Sequence, residues 1–401
     1  MVWELILAIL CGVSAGTLTG LTPGIHINLV ATLLLASLTN PLISKIAPIA
    51  LAAGITSLAI THTIIDFIPS IYLGAPNEET VLSVLPGHQL LKGGNGHEAL
   101  LLCIYGALFA AIIAIVLSAP LVLIIPKIYT PLSKATPFIL IALIIYMATR
   151  EEKPLSAIVI ILTAGFLGYV TLNIPVREPL LPLLTGLFGT STLLVAIKEK
   201  TIIPSQKSCK LKDALPSYQD LKKTALSAIC IAPPCSFLPA IGSGYASLIA
   251  AEITGYSKRG FLFLNGAMTM ITMIWSFVIV YAIQKARTGA SAAILEILKN
   301  IQTNQIVIVL SVSLISAFVA ATFAVFLSKK CSQLLGKINY RALSYTIISI
   351  VVILVVSITH LTGLIILITS TSLGLYAIQT GIKRTHLMAC LIIPSIIYYL
   401  F

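Results

Sequence analysis

Charged side chains are scarce in this chain of 401 residues. Only 9% of the residues are charged, whereas soluble domains average about 25%. Hydrophobic residues make up 58% of the sequence, and its mean hydropathy is +1.04. One buried core explains one or two long apolar runs, but this chain carries about a dozen runs that approach the length of a membrane span. The composition therefore predicts an all-α polytopic protein of the cell membrane, surrounded by lipid, and excludes a soluble domain.

The sequence also lacks the motifs of several common chemistries. Its seven cysteines are scattered without a C-x-x-C pair, which argues against a zinc site. It has no G-x-x-x-x-G-K-[ST] phosphate loop and no dinucleotide fingerprint, so an ATP-driven pump is not expected. Glu78, His88 and His97 could bind a metal, but the spacing of the two histidines fits no standard site. We therefore predict no enzymatic activity, no metal and no cofactor.

Two apolar stretches are each interrupted by a segment rich in proline and glycine. The first reads Gly20-Leu-Thr-Pro-Gly-Ile-His-Ile-Asn28, and the second reads Phe237-Leu-Pro-Ala-Ile-Gly-Ser-Gly-Tyr245. Such a break frees backbone N–H and C=O groups that lipid cannot satisfy, so it must be buried in protein or line a wet cavity. Paired breaks in corresponding halves of a membrane protein are typical of transporter binding sites.

The positions of the two breaks divide the chain into two membrane repeats, residues 1–200 and 223–401, joined by a cytoplasmic linker at 201–222. Each repeat is predicted to have one broken, re-entrant Pro-Gly hairpin, at about 3–39 and 223–255, followed by about five transmembrane helices. The predicted spans are 46–68, 98–125, 135–149, 155–172 and 180–197, then 260–284, 304–328, 342–359, 363–381 and 385–401. An odd number of spans inverts the second repeat relative to the first, which is the geometry that alternating access needs.

The net charge of +12 reflects topology rather than nucleic-acid binding. Most of the 25 basic residues, including the lysines from Lys198 to Lys223, fall on the side of the linker in this arrangement. That distribution satisfies the positive-inside rule when the linker is cytoplasmic. We therefore expect no nucleic acid among the partners.

Four motifs carry a family resemblance. They are the glycines before Thr22-Pro-Gly24, the stretch Leu85-Pro-Gly-His-Gln-Leu-Leu-Lys-Gly-Gly94, the Gly-Leu-Phe-Gly189 that ends the first half, and Leu238-Pro-Ala-Ile-Gly-Ser-Gly-Tyr-Ala-Ser247. Together they resemble the large membrane component of tripartite tricarboxylate transporters, the TctA-like family, in a divergent branch seen mainly in archaea. The resemblance implies uptake of carboxylates with a small membrane subunit and a soluble binding protein.

The first break is predicted to bind an anion. A half-helix that begins after Pro23 and Gly24 presents unpaired N–H groups and the positive end of a helix dipole. Anions bind at such ends without a buried cation. Thr22, His26 and Asn28 add side-chain donors to the same site.

The second break offers a matching set of donors. Pro239 frees the backbone, and Ser243 adds a hydroxyl between the small residues Gly242 and Gly244. Small residues allow a ligand to approach the main chain closely. We therefore place the substrate near the bilayer midplane, between the two breaks.

The glycines at 12, 16 and 20 have a simpler interpretation. Their spacing of four places them on one face of a helix, where small residues let a neighbouring helix approach closely. We therefore predict that they pack against another helix and do not bind the substrate.

Ionisable residues inside spans indicate function, because they are costly in lipid. His62 and Asp66 lie four residues apart, on one face of a helix, and could form a proton or sodium site. Alternatively, Asp66 simply ends the helix ahead of Pro69. The sequence leaves both interpretations open.

Other polar residues within predicted spans have less specific interpretations. Glu252 could pair with Lys258 or Arg259. Asn265 and Thr269, again four apart, could line a polar stripe or merely bond a neighbouring helix.

Two functions remain open from the sequence. The first is secondary transport of a small carboxylate-type organic anion, coupled to H⁺ or Na⁺ and held between the two broken hairpins. The second is translocation of a lipid-linked anion such as a polyprenyl phosphate, whose tail would stay in the membrane. A scaffold without transport activity would not need paired helix breaks.

Overall fold

The structure, a computed structural model, describes residues 2–22, 46–74, 79–199, 204–207, 209–238, 242–335 and 340–400. All regular secondary structure in these ranges is helical. Nine of the described helices are long and apolar enough to cross a bilayer. The predicted class, an all-α polytopic membrane protein, is therefore confirmed.

The first half of the chain follows the predicted order of spans. Two of its helices begin with proline, at Pro48 and Pro154, where the missing N–H costs no hydrogen bond. Its helices are α1 (Val2–Leu21), α2 (Pro48–Ile65), α3 (Val84–Lys92), α4 (Gly96–Val116), α5 (Ser118–Thr149), α6 (Pro154–Asn173), α7 (Leu180–Leu184) and α8 (Ser191–Lys198). Short π-helical segments follow α2 and α7, at Pro69–Leu73 and Thr185–Thr190.

The second half begins with two helices before the second break and one helix after it. Hydroxyl side chains cap several helix starts, and Ser217, Ser257 and Thr288 each accept from a backbone N–H. The helices are α9 (Tyr218–Cys230), α10 (Ala232–Phe237), α11 (Ser243–Thr254), α12 (Lys258–Ile283), α13 (Gly289–Leu298), α14 (Thr303–Leu335), α15 (Tyr340–Thr380) and α16 (Ala389–Leu400).

Helix α1 packs along α2 through its glycine face. A Cβ added to Gly12 would lie 2.5 Å from the carbonyl oxygen of Gly54, and one added to Gly16 would lie 2.5 Å from that of Leu58. Gly20 is also in close contact with α2. The prediction that these glycines serve helix packing is confirmed, because no side chain fits where the two backbones approach.

Helix α12 lies in the interior, and its buried residues run continuously from Leu262 to Val280. It crosses α4 at two glycines. A Cβ on Gly106 would overlap the carbonyl oxygen of Phe263, and a Cβ on Gly266 would overlap the carbonyl oxygen of Cys103. The two halves of the chain are therefore joined by a backbone-to-backbone contact that admits no side chain on either helix.

The predicted boundary between the second and third spans of the first half is wrong. The chain turns at Leu117, and the 32-residue α5 then continues through Pro126, Pro131 and Pro137. Prolines are tolerated in membrane helices because neighbouring groups satisfy the freed carbonyls. Pro120 lies in the first turn of α5, where proline is tolerated, and is the residue that marks this boundary in the sequence.

Helix α15 is interrupted at His360, where φ is 56° and ψ is −157°. A continuous helix of its 41 residues would be about 60 Å long, roughly twice the thickness of the hydrocarbon core. The interruption falls between the predicted spans 342–359 and 363–381.

The described part of the linker is attached to the first half. The backbone N–H of Lys207 donates to the carbonyl of Gly94 (2.8 Å), and the side-chain oxygen of Gln206 accepts from the N–H of Gly96 (2.9 Å). Tyr105 on α4 donates its hydroxyl to the carbonyl of Leu211 (2.8 Å). These bonds fix the linker against the turn that precedes α4.

Glu151, in the loop between α5 and α6, connects that loop to the chain before α16. Its carboxylate accepts from His386 Nε2 at 3.0 Å and lies 3.6 Å from Lys383 Nζ. Burial alone would raise the pKa of Glu151, but the bond from His386 and the charge of Lys383 outweigh it and hold the pKa below its usual value. A carboxyl with a lowered folded pKa stabilises the protein above its unfolded pKa of about 4.3, and this stabilisation is lost as the pH falls through the folded pKa.

Glu151→Gln is therefore expected to lower the melting temperature at pH 7, because a charge-assisted hydrogen bond contributes about 1.5–3 kcal/mol. The difference from wild type should shrink as the pH falls below about 4, where wild type also loses the charge. Glu152→Gln changes an exposed neighbour and is the matched control. Thermal denaturation in detergent from pH 3.5 to 7.5 measures both. A difference between Glu151→Gln and wild type that is independent of pH would contradict this account.

Candidate functional site

The predicted residues of the first break fall mostly outside the described part of the chain. Pro23, Gly24, His26 and Asn28 are not among the described residues, and the same holds for Pro239 in the second break. Thr22, at the end of α1, donates its hydroxyl to the carbonyl of Leu18 at 2.8 Å. Its donor is therefore used within the helix.

The other predicted residues of the second break form the start of α11. Gly242 is the N-cap residue, in an extended conformation, and it has no side chain to cap the helix. Ser243 is fully buried, and its hydroxyl has no hydrogen-bond partner within the described residues. A buried donor without a partner costs about 1–3 kcal/mol. This helix end thus combines an N-cap residue without a side chain, a small residue at Gly244 and a buried hydroxyl without a partner in the described residues.

A second buried donor without a partner in the described residues is the side-chain amide of Asn265 on α12. It lies beside Ser247, which is one turn after Ser243 on α11. Ser247 donates its hydroxyl to Asn265 Oδ1 at 2.8 Å, which fixes the orientation of the amide. Asn265 is fully buried, and its Nδ2 has no partner within the described residues. The amide was predicted only as part of a polar stripe with Thr269. Its connection to α11 could not be read from the sequence, because it depends on how the two helices pack.

Asp66 ends α2 and holds the following segment. Its Oδ2 accepts from the hydroxyl of Thr80 at 2.8 Å, and Ser70 donates to the Asp66 carbonyl at 2.9 Å. Ser70 and Thr80 are themselves 2.6 Å apart. Asp66 therefore has the helix-ending position that the sequence allowed, and its carboxylate is also part of a buried cluster of hydroxyl groups.

His62 lies on the same helix but bonds a different neighbour. Its Nδ1 is 3.1 Å from the hydroxyl of Thr19 on α1. His62 therefore contacts α1, whereas Asp66, one turn further along α2, contacts the segment around Thr80.

The segment at residues 79–83 brings the two halves of the chain together. It packs against α11 and against α12, and the hydroxyl of Thr269 lies 3.4 Å from the carbonyl of Glu79. On its other side, Thr80 bonds Asp66. Asp66 from the first half and Thr269 from the second half thus both contact this one short segment.

The backbone next to Asp66 is irregular. Pro69 has no N–H to donate, and the chain continues as a π-helical turn that ends at Gly74, where φ is 65°. π-Helical turns in membrane and soluble helices occur frequently at functional sites. The irregular turn follows the one acidic residue of this span, so two signals of function coincide there.

The histidines of the following segment have separate surroundings. His97 Nδ1 is 2.7 Å from the hydroxyl of Ser328 on α14, which also contacts Tyr72 at 2.7 Å. His88 packs directly against Gly74. Burial, followed by the charges of Lys92 and Arg384, lowers the pKa of His88 to about 4. Within the described residues, no three His, Cys, Asp or Glu side chains come close enough to hold a metal.

Two of the ion pairs suggested by the sequence are different in the structure. Arg259 pairs with Glu98 on α4 rather than with Glu252. The same guanidinium donates to the carbonyl of Asp213 at 3.1 Å, in the linker. Lys258 and Glu252 both line one cleft but form no ion pair with each other in the described part of the chain. The sequence placed these charges correctly near one another, but it could not reveal that α4 supplies the acid.

Comparison with known proteins agrees with these features. The model of the tripartite tricarboxylate transporter TctA family matches residues 6–389. An uncharacterized protein of Methanocaldococcus jannaschii is 30% identical over 410 residues, covering 98% of this chain and 99% of that protein. No solved structure matches the chain. The chain therefore belongs to the tripartite tricarboxylate transporter TctA family, and it is a multi-pass membrane component of a transport system rather than an enzyme.

Proposed function

We propose that this chain is a secondary transporter of a small carboxylate-type organic anion. The anion is held between the Thr22-Pro23-Gly24 turn and the start of α11, near the bilayer midplane. The observation that carries the proposal is the pair of buried donors that have no partner among the described residues, Ser243 Oγ and Asn265 Nδ2. A carboxylate would accept from both, and the N-terminus of α11 would add the field of the helix dipole.

The proposal includes two inverted repeats, residues 1–200 and 223–401, connected by the linker at 201–222. Contacts between the halves are reciprocal, which supports this arrangement. The first long helix of the second half, α12, packs on α4, and its counterpart in the first half, α2, packs on α14. Likewise α6 packs on α16, while α15 packs on α8 and the π-helical segment before it. A two-fold axis produces such paired contacts.

The breaks in the two halves correspond in this arrangement. α10 and α11 would be the two arms of the second re-entrant hairpin, with residues 238–242 at its tip. The first hairpin would continue from α1 through Pro23 and Gly24. With an odd number of spans in each repeat, the two tips would approach the ligand from opposite sides of the membrane, and alternating access would close one side at a time.

Coupling is assigned in the same proposal to His62 and Asp66, with H⁺ or Na⁺ as the coupling ion. Asp66 is buried at the end of α2 and bonds the 79–83 segment, which also contacts Thr269, one turn along α12 from Asn265. A change of charge at Asp66 would therefore be transmitted to the ligand site through a short, direct path. By family membership, we expect a small membrane subunit and a soluble binding protein as partners.

Translocation of a lipid-linked anion is the second candidate. An apolar groove of about 370 Å³ lies between α1 and α2, lined by residues such as Leu7, Cys11 and Ile55, and a lipid tail would fit it. The ionisable residue at this groove is Glu4, which repels a phosphate. The groove would therefore accommodate the tail of a lipid-linked anion but not its phosphate.

Thermal stabilisation distinguishes the two candidates. The purified protein would be melted with di- and tricarboxylates and, separately, with polyprenyl phosphates. A ligand present at 100 times its dissociation constant stabilises the folded state by about 2.7 kcal/mol. Stabilisation by carboxylates supports the first candidate, and stabilisation by prenyl phosphates alone would replace it with the second.

Asn265→Ala is expected to weaken binding of the stabilising carboxylate by about tenfold or more, because it removes a buried donor to a charged ligand. Isothermal titration calorimetry on protein in nanodiscs measures the affinity. Asn173→Ala is the matched control, since this exposed asparagine donates to the carbonyl of Tyr169 in its own helix. Equal affinities for wild type and Asn265→Ala would place the site elsewhere.

A further inference from the structure

A cleft of about 510 Å³ opens beside the C-terminal end of α11, at the opposite end of that helix from Ser243. The polar residues that line it are Gln89, Glu252, Tyr256, Ser257, Lys258, Lys383, Arg384 and Thr385. Helix α11 is 12 residues long, so the cleft and the start of α11 are separated by about 18 Å along its axis. The cleft is thus a separate location from the site proposed above.

Arg384 is buried in the wall of this cleft, with 7% of its surface exposed. Its Nη2 donates to the carbonyls of Leu187 (2.8 Å) and Phe188 (2.6 Å), and its Nη1 donates to the hydroxyl of Thr192 (2.6 Å). Its Nε has no hydrogen-bond partner within the described residues. All of these partners are neutral, so the positive charge is not compensated by a carboxylate in the described part of the protein.

A buried charge without a counter-charge is costly, and a bound anion would offset that cost. The guanidinium is also held rigidly by the carbonyls and hydroxyls at the end of the π-helical segment 185–190. A cation that is fixed in position before a ligand arrives binds it with little loss of side-chain freedom. Arg384 thus has the properties of an anion-binding group.

The other groups in the cleft add to the positive potential. Lys258 is the first residue of α12, a helix of 26 residues whose N-cap hydroxyl, from Ser257, accepts from the N–H of Gly260 at 3.0 Å. The N-terminus of this helix therefore adds its dipole to the charge of Lys258. The Nζ of Lys383 also lies 3.6 Å from the carboxylate of Glu151. Among the described residues that line the cleft, Glu252 is the one that carries a carboxylate.

We propose that this cleft is a second binding site, for a small molecule with two or three carboxylates, in addition to the site at the start of α11. Arg384 and Lys258 bind separate carboxylates of the ligand, and this requirement selects against monocarboxylates. The proposal deepens the transport function proposed above and rests on it for the identity of the cargo. The ligand would occupy the cleft on its way to or from the start of α11.

The test uses the full chain in nanodiscs of phosphatidylcholine, which has no net charge and so supplies no anionic headgroups. Citrate, succinate and acetate are titrated by calorimetry. Citrate and succinate are expected to bind, and acetate should bind at least about tenfold more weakly because it has one carboxylate. Lys258→Gln should weaken citrate binding by about three- to tenfold and reduce its dependence on salt.

Lys134→Gln is the matched control, because it removes the same charge from an exposed position on α5 that does not line the cleft. It should leave citrate affinity unchanged. Arg384→Gln should weaken binding more than Lys258→Gln, and its melting temperature shows whether the variant is folded. The Lys258 variant keeps the test valid if the Arg384 variant does not fold.

The outcomes separate this proposal from the transport function. Weaker binding in Asn265→Ala but not in Lys258→Gln would overturn the second site and leave the site at α11 standing. Weaker binding in Lys258→Gln but not in Asn265→Ala would support the cleft and overturn the site at α11. Failure of wild type to bind citrate and succinate, or equal binding of acetate, would also overturn the proposal for the cleft.

Discussion

Asp66→Asn is expected to abolish gradient-driven accumulation of the substrate, with a loss of at least about tenfold, while counterflow exchange persists in part. The carboxylate is buried at the end of α2 and accepts from Thr80, whose segment contacts both α11 and α12. Ionisable groups in membrane spans are costly and are typically retained for ion or proton movement. Asparagine can still accept from Thr80, so the local fold should persist while the titratable charge is lost.

The measurement is uptake into proteoliposomes with an imposed proton or sodium gradient, compared with exchange when no gradient is present. Asp213→Asn is the control, because its side chain lies in the exposed linker and its carbonyl, not its carboxylate, bonds Arg259. If Asp66 only ended the helix, the variant would lose about 1 kcal/mol of stability and keep its transport. Accumulation at the wild-type level in Asp66→Asn would therefore rule out the coupling role.

Gly266→Ala is expected to destabilise the protein by about 3 kcal/mol and to reduce the yield of folded protein severely. The new Cβ would overlap the carbonyl oxygen of Cys103, which belongs to the backbone of α4 and cannot rotate away. The helices would have to separate along their whole contact. Gly106→Ala should have a similar effect from the other side, because its Cβ would overlap the carbonyl oxygen of Phe263.

Gly54→Ala is the matched control for these variants. Its added Cβ would lie 3.4 Å from the carbonyl oxygen of Ala8, which is an ordinary contact. It should change stability by no more than about 0.5 kcal/mol. Fluorescence-detected gel filtration and thermal denaturation in detergent measure all three variants. A Gly266→Ala protein that is as stable as Gly54→Ala would show that α4 and α12 are not in backbone contact.

Much of the fold was predictable from the sequence because the membrane limits the alternatives. Long apolar runs can span the bilayer only as helices or closed barrels, and their length predicts where they begin and end. The glycines at 12, 16 and 20 were correctly assigned to packing because their spacing of four places them on one helix face. The turn at Leu117 was missed because Pro120, which marks the start of α5, is followed by three further prolines that lie inside the same helix.

The site was less predictable, because its contacts join residues that are distant in sequence. Asp66 was recognised as an acid inside a span, but its bond to Thr80 depends on the irregular turn between them. Arg384 carried no functional prediction. Its guanidinium is buried against the carbonyls of Leu187 and Phe188, which lie about 200 residues earlier in the chain. The periodicity of a single sequence predicts local helices but not which distant segments pack together.

The crossing of α4 and α12 also affects how the protein is made. Gly266 follows Gly106 by 160 residues, so at about 5–20 residues per second the ribosome needs about 8–30 seconds to deliver the partner of α4. During that interval α4 is in the membrane with its closest contact surface exposed to lipid or to the insertion machinery. The first half of the chain cannot complete its packing alone, and a truncated chain that ends in the linker would keep that surface open.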